Sequence, residues 1–345
     1  MSQISTQKQV SHLLQPRPFP WKVSLVIPMH NEEAAAPFLR RALERFMAEL
    51  QGEVEVVLVN DGSSDSTLAG ITAWADEDPR VKVIHLSRNF GHQIASTAGL
   101  DFASGDAVVL LDADLQDPLE VVHEMIARYR EGYDVVYGQR KSRSGETPFK
   151  KFTAWLFYRL MRILVFEDLP VDTGDFRLIS RPCLDGLQQL RETHRFLRGM
   201  VAWVGYPQIG VPYERAPRVA GRTNYSLGKM LAFAWTAATS FSAAPLRLSI
   251  LLGVVAALFG LEEAARAVLA HLLHQYSVPG WTSLMVVVSV IGGAILISIG
   301  ILGEYVGKLY EQTKNRPLYL VARTFNLGAS QPGAVAQPKA QATHR

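Results

Sequence analysis

Through the first 140 residues, short apolar runs alternate with longer stretches of helical periodicity. Residues 23–27, 54–59, 81–86 and 107–111 are compact runs dominated by Val, Ile and Leu, a pattern that reads as strands covered on both faces. Between them the spacing predicts helices over about residues 33–50 and 118–131, and Ser63, Ser64 and Asp65 supply helix caps after the second run. A further strand follows at 134–137, and His92, next to Gly91, opens another helix. Strand–helix alternation of this kind predicts an α/β domain, Rossmann-like, with a mainly parallel sheet and helices on both faces. From about 142 to 244 the pattern reads as helix and loop with basic and aromatic residues.

Near the C-terminus the pattern changes again. Residues 281–303 carry no charge over 23 positions, enough at ~1.5 Å per residue to cross a ~30 Å hydrocarbon layer. An earlier apolar run, 248–261, is interrupted by Glu262, Glu263 and Arg266 before resuming to 273. Read together, 248–273 and 281–303 form a transmembrane hairpin, with Glu262 and Arg266 paired four apart on one helix face. Arg247 precedes the hairpin and Lys308, Lys314 and Arg316 follow it, while only Arg266 lies at the far side, so both termini are expected in the cytoplasm. The division expected is a flexible leader (1–21), a catalytic α/β domain with membrane-proximal amphipathic helices (22–244), two spans (245–305) and a cytoplasmic tail (306–345), disordered after about 327.

Composition sharpens this picture in three ways. Hydrophobic residues make up 48% and mean hydropathy is +0.08, high for a soluble enzyme. A net charge of +3 over 345 residues speaks against a nucleic-acid partner. One cysteine, Cys183, excludes an intrachain disulfide and fits a reducing compartment.

Ligands of open parallel sheets sit beyond the carboxyl ends of the strands. The polar clusters stand there: His30-Asn31-Glu32, Asn60-Asp61, Ser87-Arg88-Asn89 and Asp112-Ala113-Asp114. Where the fourth strand bends into its loop, the two carboxylates and the Gln116 amide can converge on one hard cation, Mg²⁺ or Mn²⁺, already held by phosphate. Taken alone, the same residues also fit a solvated acidic turn. Pro28 ends the first strand and stiffens its loop. Glu32 and Asp61 can accept from a ribose or a base N–H, or cap the helices they precede. Arg88 and Asn89 are further nucleotide contacts or a surface pair.

The ordered motifs are Val26-Ile-Pro28-Met-His-Asn31-Glu32, Asn60-Asp61-Gly62-Ser-Ser-Asp65, Arg88-Asn89-Phe-Gly91, Asp112-Ala-Asp-Leu-Gln-Asp117, Gly174-Asp-Phe-Arg177, Arg218-Val-Ala-Gly221 to Tyr225, Pro245-Leu-Arg247 and Leu302-Gly-Glu-Tyr305. Over about residues 20–320 this set resembles the family 2 glycosyltransferases of the polyprenyl-phosphate type, such as dolichyl-phosphate mannose synthases, undecaprenyl-phosphate glucosyltransferases and the aminoarabinose transferase of lipid A modification. The resemblance implies a GT-A fold and inverting transfer of one sugar from a nucleotide sugar to a lipid phosphate. It implies a nucleotide-sugar site at Pro28, His30, Asn31, Glu32, Asp61, Arg88, Asn89, Asp112 and Ala113. Asp114 and Gln116 become the ligands of Mg²⁺ or Mn²⁺, and Asp112 holds sugar, ribose or the metal through water. Asp112, Asp114 and Asp175 are the catalytic carboxylates; Asp175 orients a substrate, abstracts a proton, or simply partners Arg177.

An anionic acceptor calls for cations, and arginine suits bidentate phosphate contact. Arg140 and Arg218 match family phosphate-contacting positions, with Arg143 and Arg222 beside them. Asn224 stands where relatives often carry lysine, with Arg222 or Lys229 available to compensate. Apolar aromatic stretches at 153–166 and 227–241 suit the headgroup level, as do Lys150 and Lys151.

The expected reaction joins glucose from a UDP-sugar to undecaprenyl phosphate at the bacterial inner membrane, for envelope glycan. N-acetylglucosamine, galactose, mannose from GDP-mannose and an aminoarabinose derivative are the alternative sugars. Self-association to a dimer or tetramer is expected from relatives. A dinucleotide dehydrogenase is disfavoured because no G-x-G-x-x-G follows the first strand. A processive synthase would carry Gln-x-x-Arg-Trp, and the sequence at Gln188 lacks the tryptophan. A non-catalytic membrane scaffold, the rival of another class, has no use for carboxylates gathered on one rim.

Overall fold

A computed structural model describes residues 14–140, 173–216, 239, 244–272 and 281–327. Eight strands among them form one sheet: β1 (Lys22–Met29), β2 (Glu53–Asn60), β3 (Val81–Leu86), β4 (Ala107–Leu110), β5 (Val135–Arg140), β6 (Thr173–Ser180), β7 (Gln208–Tyr213) and β8 (Val321–Phe325). The helices are α1 (Ala36–Glu49), α2 (Thr67–Glu77), α3 (His92–Phe102), α4 (Val121–Arg130), α5 (Arg181–Gln188), α6 (Leu197–Trp203), α7 (Ala244–Leu272) and α8 (Trp281–Thr313).

The sheet order is β7-β5-β6-β4-β1-β2-β3-β8. β4, β1, β2 and β3 run parallel, so their carboxyl ends share one rim. Successive residues of a strand face opposite sides. Leu25 and Ile27 therefore pack with Leu39, Leu43 and Phe46 of α1 and Trp74 of α2, whereas Val26 packs with Ala95 and Ala98 of α3 and with α5 and α6. Both faces of β1 and β2 are buried, which is why their sequences are mostly apolar, with Ser24 and Glu55 a buried polar pair between them.

The stretch read as helix and loop contains two strands, β6 and β7. β6 enters antiparallel between β4 and β5, with Leu110 opposite Arg177 and Gln139 opposite Thr173. Its first residues thereby lie beside the carboxyl ends of its two neighbours. The apolar signal of a central strand is broken here by Gly174, Asp175 and a buried Arg177, whose Nη2 donates to the Gly174 carbonyl at 3.0 Å. β1 extends two residues beyond the expected end, so Pro28 lies inside the strand, opposite Val59.

Pro245–Glu263 in α7 and Val286–Thr313 in α8 are long and apolar enough to cross a membrane, by length and composition. The two helices pack on each other, and Arg266 reaches Glu263 at 3.0 Å and Glu262 at 3.9 Å. α8 runs ten residues past the expected span and docks on the domain. Gln312 accepts from the Thr193 N–H at 2.8 Å, and His194 meets Glu311 at 2.7 Å. The tail then adds β8 antiparallel to β3, covering that sheet edge. Before β1, Arg17 ties the chain to Asp134 at 2.9 Å and lies over the Tyr129 ring. The tail expected to be disordered lies outside the described residues.

Candidate active site

The rim has a hydrogen-bonded half and a charge-paired half. In the hydrogen-bonded half, loops following β1, β2 and β3 bond to one another. Asn31 takes a left-handed backbone (φ 55°), its N–H donates to Ser63 Oγ at 3.0 Å, and its Oδ1 accepts from the Ser64 N–H at 2.8 Å. His30 Nδ1 lies 2.8 Å from the Asp61 carbonyl, which only accepts, so the ring carries its proton there. The Glu32 N–H donates to Thr67 Oγ1 at 2.8 Å. Asp61 is buried, and its two oxygens accept from the N–H groups of Phe90 (2.7 Å) and Gly91 (2.9 Å). Gly62 has φ +60° and a Cβ there would stand 2.4 Å from the Arg88 carbonyl carbon, so the second and third loops meet backbone to backbone. Arg88 stacks over Phe90 at 4.0 Å.

The charge-paired half is built from β4, β5, β6 and the starts of α3 and α6. His92, first residue of α3, puts Nε2 3.5 Å from Asp112 Oδ1 and 3.4 Å from Asp175 Oδ2. Asp175, 6% exposed, also accepts from Arg198 Nε at 2.8 Å and Gln93 Nε2 at 3.1 Å. Gln93 Oε1 in turn accepts from the Leu197 N–H at 2.9 Å, pinning α6 to α3. Burial opposes ionisation of Asp175, but Arg198, His92 and Arg177 outweigh it and hold the carboxyl well below its usual range. Burial opposes the charged form of His92, yet Asp175 and Asp112 push its pKa up. Asp112 is pushed up by burial and by the neighbouring Asp175, Asp117 and Asp114, against His92.

Beyond Asp112 the loop turns sharply, with Leu115 at φ 54°. Asp114 Oδ1 accepts the Gln116 N–H at 3.1 Å. Gln116 Nε2 lies 3.4 Å from the Ala216 carbonyl, and the Ala216 N–H donates to the Gln116 carbonyl at 2.9 Å. Asp117 accepts from the Tyr213 hydroxyl, which also receives Arg140 Nε at 3.4 Å. Burial and the Asp117 carboxylate push the Tyr213 phenol up to about 12, so it keeps its proton at neutral pH.

The Glycosyl transferase family 2 model matches residues 24–187, which includes every strand that builds this rim except β7 and β8. The glycosyltransferase YkcC of Bacillus subtilis is 43% identical over 88% of this chain and 94% of its own. The bactoprenol glucosyl transferase of Shigella phage SfII is 40% identical over 88% of this chain and 98% of its own. The chain belongs to glycosyl transferase family 2. It is a glycosyltransferase, with a GT-A-like mixed sheet and two apolar C-terminal helices. Among solved structures, S. aureus TarS 1-349 in complex with UDP-GlcNAc matches at a TM-score of 0.43 and 18% identity, over 64% of this chain and 66% of that one, too distant to speak for the ligands here.

Within this family 2 enzyme, the structure brings Asp112, Asp114, Gln116, Asp175 and Arg140 to one edge. His30, Asn31, Glu32, Asp61, Arg88 and Asn89 line the neighbouring loops. Pro28 is buried in β1 and the Ala113 methyl is in the core, so what either offers a nucleotide is backbone. Arg143, Arg218, Arg222 and Asn224 lie outside the described residues, as do Lys229 and the stretches 153–166 and 227–241. Three residues on the rim escaped sequence reasoning as site groups. His92 was legible only as a helix start, Arg198 left no local signal, and Asp117 was hidden behind the preceding acidic pair.

A divalent ion fits this edge. Among the described residues no three His, Cys, Asp or Glu side chains gather as a complete protein cage. Mg²⁺ and Mn²⁺ sites that share their ion with substrate phosphate use one or two carboxylates instead. Asp114 and Gln116 would supply hard oxygens, and with the Gln116 amide nitrogen turned toward Ala216 its Oε1 would be the ligand atom. Buried Asp117 Oδ2 has no hydrogen-bond partner among the described residues, and burial pushes the pKa of this carboxyl up, against the Tyr213 hydroxyl, Arg140 and Arg215.

Proposed function

We propose that this enzyme moves one glucose from UDP-glucose to undecaprenyl phosphate at the cytoplasmic face of a membrane, with Mg²⁺ or Mn²⁺ held by Asp114 and Gln116. The observation that carries the reading is the meeting of the acidic β4 loop with Arg140 and Asp175 where antiparallel β6 crosses the rim. Relatives named bactoprenol glucosyl transferase, similar over nearly their whole length, support glucose and a polyprenyl acceptor. Two apolar helices support membrane attachment, and the α8–domain contacts would keep the rim near the lipid surface.

A bound divalent ion would neutralise charge on the departing diphosphate. The rest falls to the chain. A lipid monophosphate, with its second pKa near ~6, is largely dianionic at neutral pH and needs no strong base. Its oxygen bonds to the anomeric carbon, the bond from that carbon to the UDP oxygen breaks with its electron pair leaving on UDP, and configuration inverts. Arg140 draws in the acceptor phosphate. Asp175, kept ionised by Arg198, is a poor proton acceptor and serves as a fixed acceptor of hydrogen bonds from sugar hydroxyls. The loops around Asn31 and Asp61 hold the nucleotide.

The test is UDP release by the detergent-purified full chain, required to depend on the metal and on undecaprenyl phosphate. A panel of UDP- and GDP-sugars decides the sugar; the fastest turnover is expected with UDP-glucose. Wild-type transfer by Asp114→Ala would end the proposal.

A further inference from the structure

Behind the Asp114 loop, the exit of β7 touches residues of both proposed substrate sites. Tyr213 is 4% exposed and its ring meets Phe176 edge-on at 5.7 Å. It is therefore held by the core and out of reach of any substrate. Its hydroxyl donates to Asp117 Oδ1, itself 3% exposed, and accepts from Arg140 Nε at 3.4 Å. Three residues later Ala216 grips Gln116 by backbone and side chain. One strand exit thus holds the metal-side loop at two consecutive residues and the phosphate-side arginine at a third point.

A phenol is suited to this place because it both donates and accepts. Asp117 can only accept and Arg140 can only donate, so a direct pair between them would draw the guanidinium down onto the carboxylate. With the phenol between them, the guanidinium passes Asp117 and lies over Gly174, where a Cβ would stand 3.0 Å from Arg140 Nη2. That position is one residue from Asp175. We propose that Tyr213 is a positioning residue whose hydroxyl sets the acceptor-phosphate arginine, Arg140, in register with the loop that holds the donor's diphosphate. The inference rests on the reading of Arg140 as an acceptor contact. It accounts for a buried polar bridge that the chemistry does not otherwise use.

The experiment compares Tyr213→Phe, Arg140→Ala and the double variant in the detergent-purified full chain, with UDP-glucose, Mn²⁺ and undecaprenyl phosphate. Tyr213→Phe is expected to raise the acceptor KM about tenfold, the size of one lost charge-assisted hydrogen bond. The donor KM and UDP binding with Mn²⁺ stay within about twofold, because Ala216 still holds Gln116. Arg140→Ala raises the acceptor KM further, and the double variant matches Arg140→Ala alone, since the hydroxyl acts through that arginine. Multiplying effects in the double variant would overturn the relay. So would equal losses for donor and acceptor, which mark a merely structural role. A wild-type acceptor KM in Tyr213→Phe beside a weakened Arg140→Ala would sink the relay alone, whereas an unchanged Arg140→Ala would sink the reading of Arg140 and the relay together. Should Tyr213→Phe not fold, Asp117→Asn is read by the same criteria, with the same acceptor-selective loss expected.

Discussion

The two halves of the rim are built on opposite principles. Around β1, β2 and β3, polar groups are matched to one another: Asn31 with Ser63 and Ser64, Asp61 with two backbone N–H groups, Glu33 with the Ser66 N–H. Around β4, β6 and β5, four carboxylates face His92, Arg140, Arg177, Arg198 and Arg215, and one buried oxygen of Asp117 is unmatched among the described residues. A matched set rigidifies a cradle before any ligand arrives. A crowded charged set is costly without its ligand and gains most when charge of the right sign enters. Substitutions in the first half should therefore register as stability and donor affinity, and those in the second as rate and acceptor affinity.

The hardest test of that division is Asp114→Ala. Loss of the carboxylate proposed to hold the metal should cut transfer by about 10³-fold or more, several kcal/mol of transition-state stabilisation, while the melting temperature holds or rises. A variant that lost both activity and fold would break the comparison. Arg198→Ala comes next and probes the boundary, because Arg198 balances a buried charge. Leaving Asp175 short of its cation should cost roughly 3 kcal/mol of stability, measurable by urea unfolding. The sign with pH is fixed by the depressed carboxyl. Its contribution is fully present above the unfolded pKa of ~3.9 and fades as pH falls through the lower folded value. Removing Arg198 raises the folded value, so the acid limb of both stability and activity should move to higher pH. An unmoved acid limb would mean that Asp175 is held by something else.

The same division marks what the sequence could disclose. β1 to β4 were legible because each is rich in Val, Ile and Leu, with β1, β2 and β4 buried on both faces. The Asp112–Asp114 pair was legible because it ends such a strand. β6 was not, since hydropathy has no way to register a buried Arg177 satisfied by the carbonyls of Gly174 and Asp175. Missing β6 hid the geometry that brings Asp175 beside Asp112, and Arg198 and Tyr213 went with it, for their partners lie 23 and 96 residues away. β8 is five residues following a long apolar helix, mostly exposed, and its reason to be a strand lies in the unpaired edge of β3 rather than in its own composition.

Returning to the hydrogen-bonded half, Gly62→Ala should destabilise by about 2 kcal/mol or more. The left-handed backbone alone costs an alanine ~1–2 kcal/mol, and the new methyl must displace the backbone at Arg88. Thermal unfolding measures it, with the donor KM rising because the second and third loops separate. An acceptor KM that rose equally would contradict the independence of the halves.

The smallest effect sharpens the comparison furthest. Ser63→Ala removes the hydroxyl that accepts the Asn31 N–H, but Asn31 Oδ1 still holds the Ser64 N–H and the site is open to water. An exposed hydrogen bond replaced by water is worth about 0.5–1 kcal/mol, so the donor KM should rise no more than about fivefold, with kcat and the acceptor KM unchanged. Redundant bonding predicts this shallow response, whereas a cradle that worked by one critical contact would lose donor binding outright. Titrating UDP against Ser63→Ala by calorimetry separates the two. A steep loss there would mean that the hydrogen-bonded half, too, is balanced on single residues.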